Sequence, residues 1–270
     1  MNILFCGDIV GRAGRDVVIE NVPELRRKLA LDFVVVNGEN AAGGFGITER
    51  IVRDFYAAGV DCITTGNHVW DQREIIAYID GDPRLLRPMN YPKGTPGRGL
   101  GQYTTKNGRK IVVVNLMCRL FMDALDDPFA ALEAVFAQHR LGATAQAIVI
   151  DVHGEASSEK MALGHLADGR ASLVVGSHGH VPTADAQVLA HGTGYQTDAG
   201  MCGDYDSVIG MKKDNAVARF VRKLPGERLA PAEGPATLCA IYAEIDDHSG
   251  LTVKMAPLRL GGRLQPAWPA

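Results

Sequence analysis

The chain has 270 residues, with 28 basic and 31 acidic side chains and a formal net charge of −3. That balance supplies no global basic field for nucleic acid, and no apolar stretch approaches the roughly 20 residues needed to span a bilayer. Hydrophobic residues at 46% and charged residues at 22% are ordinary for a globular protein with a full core, which excludes a disordered or fibrous chain.

Residues 2–6 form a short apolar run that reads as a buried strand and breaks off into Gly7-Asp8. Residues 11–29 carry Val17, Val18, Val22, Leu25 and Leu29 at helical spacing, with Pro23 expected to kink or split the helix. A second strand, 33–36, runs into Asn37-Gly38-Glu39-Asn40. Thr48 is placed to cap a helix reaching residue 58, with Ile51, Val52 and Phe55 on its buried face. Strand 61–65 runs into Gly66-Asn67-His68, and a short helix follows over 71–79. This β-α-β-α-β order predicts parallel strands.

Residues 88–101 are rich in Gly and Pro and predict a loop crossing between two sheets. Beyond it lie a strand at 111–116, a helix at 128–139, a strand at 147–152 leading into His153, a helix at 157–167 and a strand at 172–175. That last strand leads into Gly176-Ser177-His178-Gly179-His180. After residue 180, antiparallel strands are expected at 184–189, 194–197, 217–224, 238–245 and 251–255. A hairpin turn is expected at 247–250 and an exposed loop at 225–236. The fold class is α/β, with two packed sheets sharing one core in a single domain over 1–270, and residues 261–270 a poorly ordered tail.

Ligands in open α/β sheets bind beyond the carboxyl ends of the strands. Five successive strand ends carry Asp, Glu, Asn or His, so one convergent metal site is expected. Its candidate ligands are Asp8, Glu39, Asn40, Asn67, His153, His178 and His180. All are O or N donors, which favours Mn, Fe, Zn or Mg-like ions over copper(I) or an iron–sulfur cluster. Seven donors exceed one tetrahedral zinc site and suit two ions sharing a carboxylate, an arrangement that clamps a phosphoryl group. Taken singly, Asp8 and Asn67 read as turn residues, and Glu39-Asn40 as a cap before Thr48. The metal reading rests on their succession.

His68 follows Asn67 directly and is placed to protonate a leaving oxygen from the rim of the site. Asp151, Glu155 and Asp198 are candidates to orient ligand imidazoles from behind. Gly43-Gly44-Phe45-Gly46 is a loop beside the site, and residues 204–213 are expected to line the substrate or a contact between subunits. His139, His165, His191 and His248 are expected to have no site role. Cys6, Cys62, Cys118, Cys202 and Cys239 are odd in number with no C-x-x-C pair. Together with the lack of a secretory signal at the N-terminus, they predict reduced thiols and a cytoplasmic protein.

Gly66-Asn67-His68 and Gly176-Ser177-His178-Gly179-His180 resemble the G-N-H and G-H-x-H motifs of calcineurin-like metallophosphoesterases. Gly7-Asp8-Ile9-Val10-Gly11, Asn37 through the glycines at 43 and 44, Asp151-Val152-His153 through Ser158-Glu159-Lys160, residues 178–185 and Tyr205-Asp206-Ser207-Val208-Ile209-Gly210-Met211 narrow the resemblance to the YmdB-like branch. The wider superfamily carries a His where Val10 stands and an Asp-rich second motif where Glu39-Asn40 stands. The YmdB-like branch shares both departures.

The resemblance implies a four-layer α/β/β/α sandwich of two packed mixed sheets and two metal ions, Fe and/or Mn. It implies Asp8, Glu39, Asn40 and His180 around one ion and Glu39, Asn67, His153 and His178 around the other. It also implies a cyclic nucleotide substrate of the 2′,3′ type.

The expected reaction is phosphodiester hydrolysis by a metal-bridging hydroxide, with His68 assisting the leaving group. Two alternatives stand beside it: a metal-loaded regulatory or nucleotide-sensing protein, and a broad-specificity phosphoesterase. With 6% aromatic residues and no basic run, stable nucleic-acid binding is not expected. No membrane association is expected, and homo-oligomerisation is left open.

Overall fold

The computed structural model describes residues 1–223 and 226–269. In chain order the first half comprises β1 (Asn2–Cys6), β2 (Asp8–Ile9), α1 (Gly11–Lys28), β3 (Phe33–Asn37), α2 (Glu49–Ala57), β4 (Cys62–Thr64) and α3 (Glu74–Tyr78). After the Gly/Pro-rich crossing come β5 (Leu100–Thr104), β6 (Lys110–Met117), α4 (Pro128–Gln138), β7 (Ala147–His153), α5 (Ser157–Leu166) and β8 (Leu173–Ser177). The remainder is β9 (Gln187–Val188), β10 (Gly194–Gln196), β11 (Met201–Asp204), α6 (Lys213–Arg222), β12 (Ala236–Ile245) and β13 (Thr252–Leu260).

One sheet runs β2-β11-β12-β1-β3-β4, with β13 also paired to β12. Within it β3 is parallel to both β1 and β4, whereas β12 is antiparallel to β1. The other sheet runs β5-β6-β7-β8-β10-β9. There β6, β7, β8 and β10 are parallel, and β5 and β9 are antiparallel at the edges.

The parallel strands are Val- and Ile-rich because both of their faces are covered. Ile3, Phe5 and Val35 of the first sheet pack against Val113, Val149 and Val175 of the second, all with 0% exposure. Each such side chain stabilises the fold by about 1.5–3 kcal/mol, which zips the two sheets face to face. A second cluster joins the first sheet to α1 and α2, through Leu4, Val18, Val34 and Phe55. A third joins the other sheet to α4 and α5, through Leu132, Val135, Ile150 and Leu163. The result is the four-layer α/β/β/α sandwich of mixed sheets.

Local signals act as expected in the first half. Thr48 Oγ1 accepts from Ile51 N and caps α2. Pro23, however, lies within an unbroken α1, on its exposed side, so the helix is not split.

The second half departs from expectation in several places. The segment 217–224 is not a strand: α6 covers it up to Arg222, and Leu224 lies outside the described residues. Val217, Phe220 and Val221 stand at i, i+3 and i+4, which is one helix face, and Asp214 and Arg222 suit its two ends. The segment 194–197 gives β10, which is parallel to β8 rather than antiparallel. Of 184–189 only Gln187–Val188 is a strand.

The loop 225–236 is not uniformly exposed, because Ala232 is buried and Met211 bridges to Pro231; Pro225 lies outside the described residues. Strands β2 and β5 lie outside the expected set, and so does β11. β11 pairs parallel with β2, opposing Met201 to Asp8, and so fixes the position of Asp8. Beyond β13 the chain turns back, and Ala267 pairs with Arg259. No helix among the described residues is long and apolar enough to cross a membrane.

Candidate metal centre

The ends of β1, β3, β4, β7 and β8 deliver their polar residues to one place. The donor atoms of Glu39, His153 and His178 lie within 4.8 Å of one another, as do those of Asp8, Glu39 and His180. Glu39 therefore belongs to both groups.

Asn67 Oδ1 lies 2.9 Å from His153 Nε2, and Asn40 Oδ1 lies 3.2 Å from His180 Nε2. The Asn40 amide nitrogen donates to the Gly44 carbonyl at 3.0 Å, which turns its oxygen inward. All seven candidate ligands from the sequence thus lie together. His68 stands outside both groups. Its backbone N–H donates to Glu39 Oε2 at 3.3 Å, while its ring Nδ1 lies 2.9 Å from Asp71 Oδ2.

Two imidazoles have their inward atom chosen by a partner behind them. His180 Nδ1 faces the Ile209 carbonyl at 2.8 Å, so it carries the proton and Nε2 is the free lone pair. His153 Nδ1 lies 2.9 Å from Ser177 Oγ, which donates in turn to Asp151 Oδ1 at 2.6 Å. His153 Nε2 then points to Glu39 Oε2, 3.1 Å away.

The centre is buried, with Asp8 and His153 at 0% and Glu39 at 1% exposure. Burial pushes the Asp8 carboxyl up to about 7, a rise that nearby His180 and His153 only partly offset. Burial acts the same way on Glu39, but His153, His68 and His178 together outweigh it and hold that carboxyl low. His153 is correspondingly raised, against its own burial, by Glu39 and Asp8. Burial and the neighbouring His153 push His178 down to about 3, so it stays a neutral base.

These residues fit a pair of cations. The donor set is O and N without thiolate, the buried Asp8 carboxylate lacks full compensation, and at least two imidazole lone pairs converge beside it. The space is also reserved: a Cβ on Gly66 would overlap Glu39 Oε2 and His153 Nε2.

The profile of the YmdB-like protein family matches residues 4–258. The chain belongs to the YmdB-like family. It is 48% identical over 255 residues to the 2′,3′-cyclic-nucleotide 2′-phosphodiesterase of Bacillus subtilis, covering 94% of this chain and 95% of that one. It is 30% identical over 266 residues to a putative phosphatase/phosphodiesterase of Mycoplasma pneumoniae, covering 96% and 93%. Among solved structures it is similar to a hypothetical protein of Thermus thermophilus, with TM-score 0.90 and 41% identity over 97% of this chain and 100% of that one. It is also similar to a phosphatase of Mycoplasma pneumoniae, with TM-score 0.88 and 29% identity over 97% and 93%.

Behind the donors, this YmdB-like chain carries a second layer that sequence reading caught only in part. Asp151 accepts from Asn37 Nδ2 at 2.9 Å and from Thr64 Oγ1 at 2.5 Å as well as from Ser177. Asp198 accepts from Lys160 Nζ at 2.9 Å and from Gly179 N at 2.8 Å, gripping the loop that carries His178 and His180. Glu155 Oε2 lies 3.1 Å from His178 Nε2.

Asn37, Thr64, Asp71 and Ser177 went unnoticed as partners. Asn37 lies two positions before Glu39, Ser177 directly precedes His178, and Asp71 lies three after His68, close enough for local spacing to suggest them. His191 pairs with Asp168 instead, away from the centre.

Proposed function

We propose that the chain is a metal-dependent phosphodiesterase that opens cyclic nucleotides of the 2′,3′ type to monoesters. The observation that carries this is Glu39: one buried carboxylate shared by two donor groups, with His68 beside it but outside both. The name of the Bacillus subtilis relative supports the cyclic substrate.

Asp8, Glu39, Asn40 and His180 would hold one ion, and Glu39, Asn67, His153 and His178 the other, with Fe or Mn suited to this oxygen and nitrogen set. Two such ions, when bound, supply Lewis acidity toward phosphoryl oxygens and make water a competent nucleophile at neutral pH.

The protein's own groups do the rest. Asp71 holds His68 Nδ1, which leaves Nε2 to face the substrate. A new P–O bond forms from water, the ester P–O bond breaks, and His68 Nε2 gives its proton to the departing sugar oxygen. His180 and His153, held from behind by Ile209 and Ser177, keep their lone pairs aimed without reorganisation during turnover.

The test is hydrolysis of adenosine 2′,3′-cyclic phosphate by Fe- or Mn-loaded protein beside His68→Ala and Glu39→Ala. Activity lost in both, with metal content lost in Glu39→Ala alone, is the expected result. Two ions bound without turnover of any phosphodiester would overturn the reading in favour of a regulatory, nucleotide-sensing protein.

A further inference from the structure

Next to the metal centre lies an open cavity of about 730 Å³ whose lining includes Phe45, Arg219, Lys223, Glu227 and Arg228. Phe45 joins the two places. Its ring meets His68 edge-on, with centroids 5.2 Å apart, and the Arg228 guanidinium lies 5.6 Å from the same ring. The ring is held by its backbone: Gln72 Nε2 donates to the Phe45 carbonyl at 2.8 Å, and Asn40 Nδ2 donates to the preceding Gly44 carbonyl. A residue of the metal centre and the wall of the cavity therefore share one short loop.

Among the described residues three cationic side chains and one carboxylate line this cavity, and that carboxylate, Glu227, accepts from Asn215 Nδ2 at 3.3 Å. An excess of guanidinium and ammonium groups at one spot on a chain of net charge −3 is a local anion-binding field. The cyclic phosphate itself is accounted for at the metal centre. An unphosphorylated nucleoside has no further anion to offer the cavity, and the remaining phosphate-bearing position of a nucleoside 2′,3′-cyclic phosphate is its 5′ oxygen.

We propose that the Arg219, Lys223 and Arg228 cavity is a subsite for a second phosphate on the 5′ side of the cyclic nucleotide. This rests on the function proposed above and narrows its substrate class. The shared chemistry is a 5′-phosphoryl group, supplied either as a monoester on a mononucleotide or as the diester of a short oligonucleotide. Arg228 and Arg219 offer planar forks to its oxygens, and Lys223 adds a point charge. The effect is on binding, since the subsite lies off the reacting phosphorus.

The experiment compares three substrates on the metal-loaded protein: adenosine 2′,3′-cyclic phosphate, its 5′-phosphorylated form, and an ApA dinucleotide ending in the cyclic phosphate. Wild type and Arg219→Gln/Arg228→Gln are run side by side at low salt. In wild type, kcat/KM for at least one phosphorylated substrate should exceed that of the plain cyclic nucleotide by roughly tenfold, through KM. That ratio, which is insensitive to the active fraction, should fall toward one in the double variant. A gain for the monoester alone, or for the dinucleotide alone, identifies the source. Turnover of all three without preference, or a preference that survives in the variant, overturns the subsite and leaves the phosphodiesterase reading intact.

A second readout is independent of turnover: calorimetric titration with adenosine 3′,5′-bisphosphate against adenosine 3′-phosphate. A tenfold tighter bisphosphate in wild type alone supports the subsite. Equal affinities overturn it even if no substrate is hydrolysed, an outcome that would separately sink the phosphodiesterase.

Discussion

Lys160 and Asp198 form a buried ion pair, 2.9 Å between Nζ and Oδ2, directly beneath the loop of His178 and His180. Both side chains are almost wholly enclosed, at 3% and 4% exposure, and the pair also fixes Ser177 through its carbonyl, 2.7 Å from Nζ. Removing one member of a buried pair leaves an uncompensated charge, a loss of about 3–5 kcal/mol. Lys160→Met should therefore lower the urea midpoint sharply and reduce metal content at the same time. A variant that unfolds like wild type and keeps both ions would show that the pair does not organise this loop.

Among the described residues the Asp71 carboxylate meets only the ring of His68, 2.9 Å away. Asp71→Asn should lower kcat by roughly tenfold while leaving metal content and fold unchanged, whereas His68→Ala should lower it by about a hundredfold or more. Steady-state kinetics with parallel metal analysis decides this. Equal losses in both variants, or a loss of metal in Asp71→Asn, would contradict the division of roles.

Gly66 has no room for a side chain, because its Cβ would enter the space between Glu39 and His153. Gly66→Ala should fold, as β4 ends two residues earlier, yet bind metal at least tenfold more weakly. Elemental analysis after dialysis, beside circular dichroism, separates the two effects. Wild-type metal content in Gly66→Ala would refute the cradle.

Metal removal should lower thermal stability. Ions that bind only the folded centre stabilise by mass action, about 4 kcal/mol at a free concentration a thousandfold above Kd. A chelator should depress Tm, and re-addition of Mn should restore it. An unchanged Tm would mean that the donors hold no ion with useful affinity.

Acid stability has a contribution far from the centre. Burial tends to raise Asp168, but the ring and backbone N–H of His191 and the Thr193 N–H outweigh it and hold the carboxyl below its ordinary 3.8. A depressed carboxyl stabilises the fold above the unfolded value and loses that contribution as pH falls through the lower, folded value. The Tm of wild type should thus drop more steeply below about pH 4 than that of Asp168→Asn. Parallel curves would show that the contact is energetically silent.

The site was legible in sequence because parallel strands put their carboxyl ends on one side, so donors just after apolar runs must meet. Asp8, Glu39, Asn67, His153 and His178 needed no more than that logic. The strands themselves were legible where both faces are buried, as at Val34-Val35-Val36.

Legibility failed where a segment's pairing is set by a distant partner. Met201-Cys202-Gly203-Asp204 has little strand character of its own and becomes β11 through β2 and β12. Val217, Phe220 and Val221 are exposed, so burial could not signal which period they follow, and the i, i+3, i+4 spacing was the better guide. Asp71 escaped notice because its role depends on the ring orientation of His68.

Each donor group draws on both sheets. Asp8 and Glu39 follow strands of the first, and His153, His178 and His180 follow strands of the second. Ions seated there would act as rivets through the open end of the sandwich. Either sheet could then part from the other at that end only by surrendering the ions. The metal should thus govern unfolding cooperativity as well as stability: one sharp transition when loaded, and a broadened or two-step one when stripped.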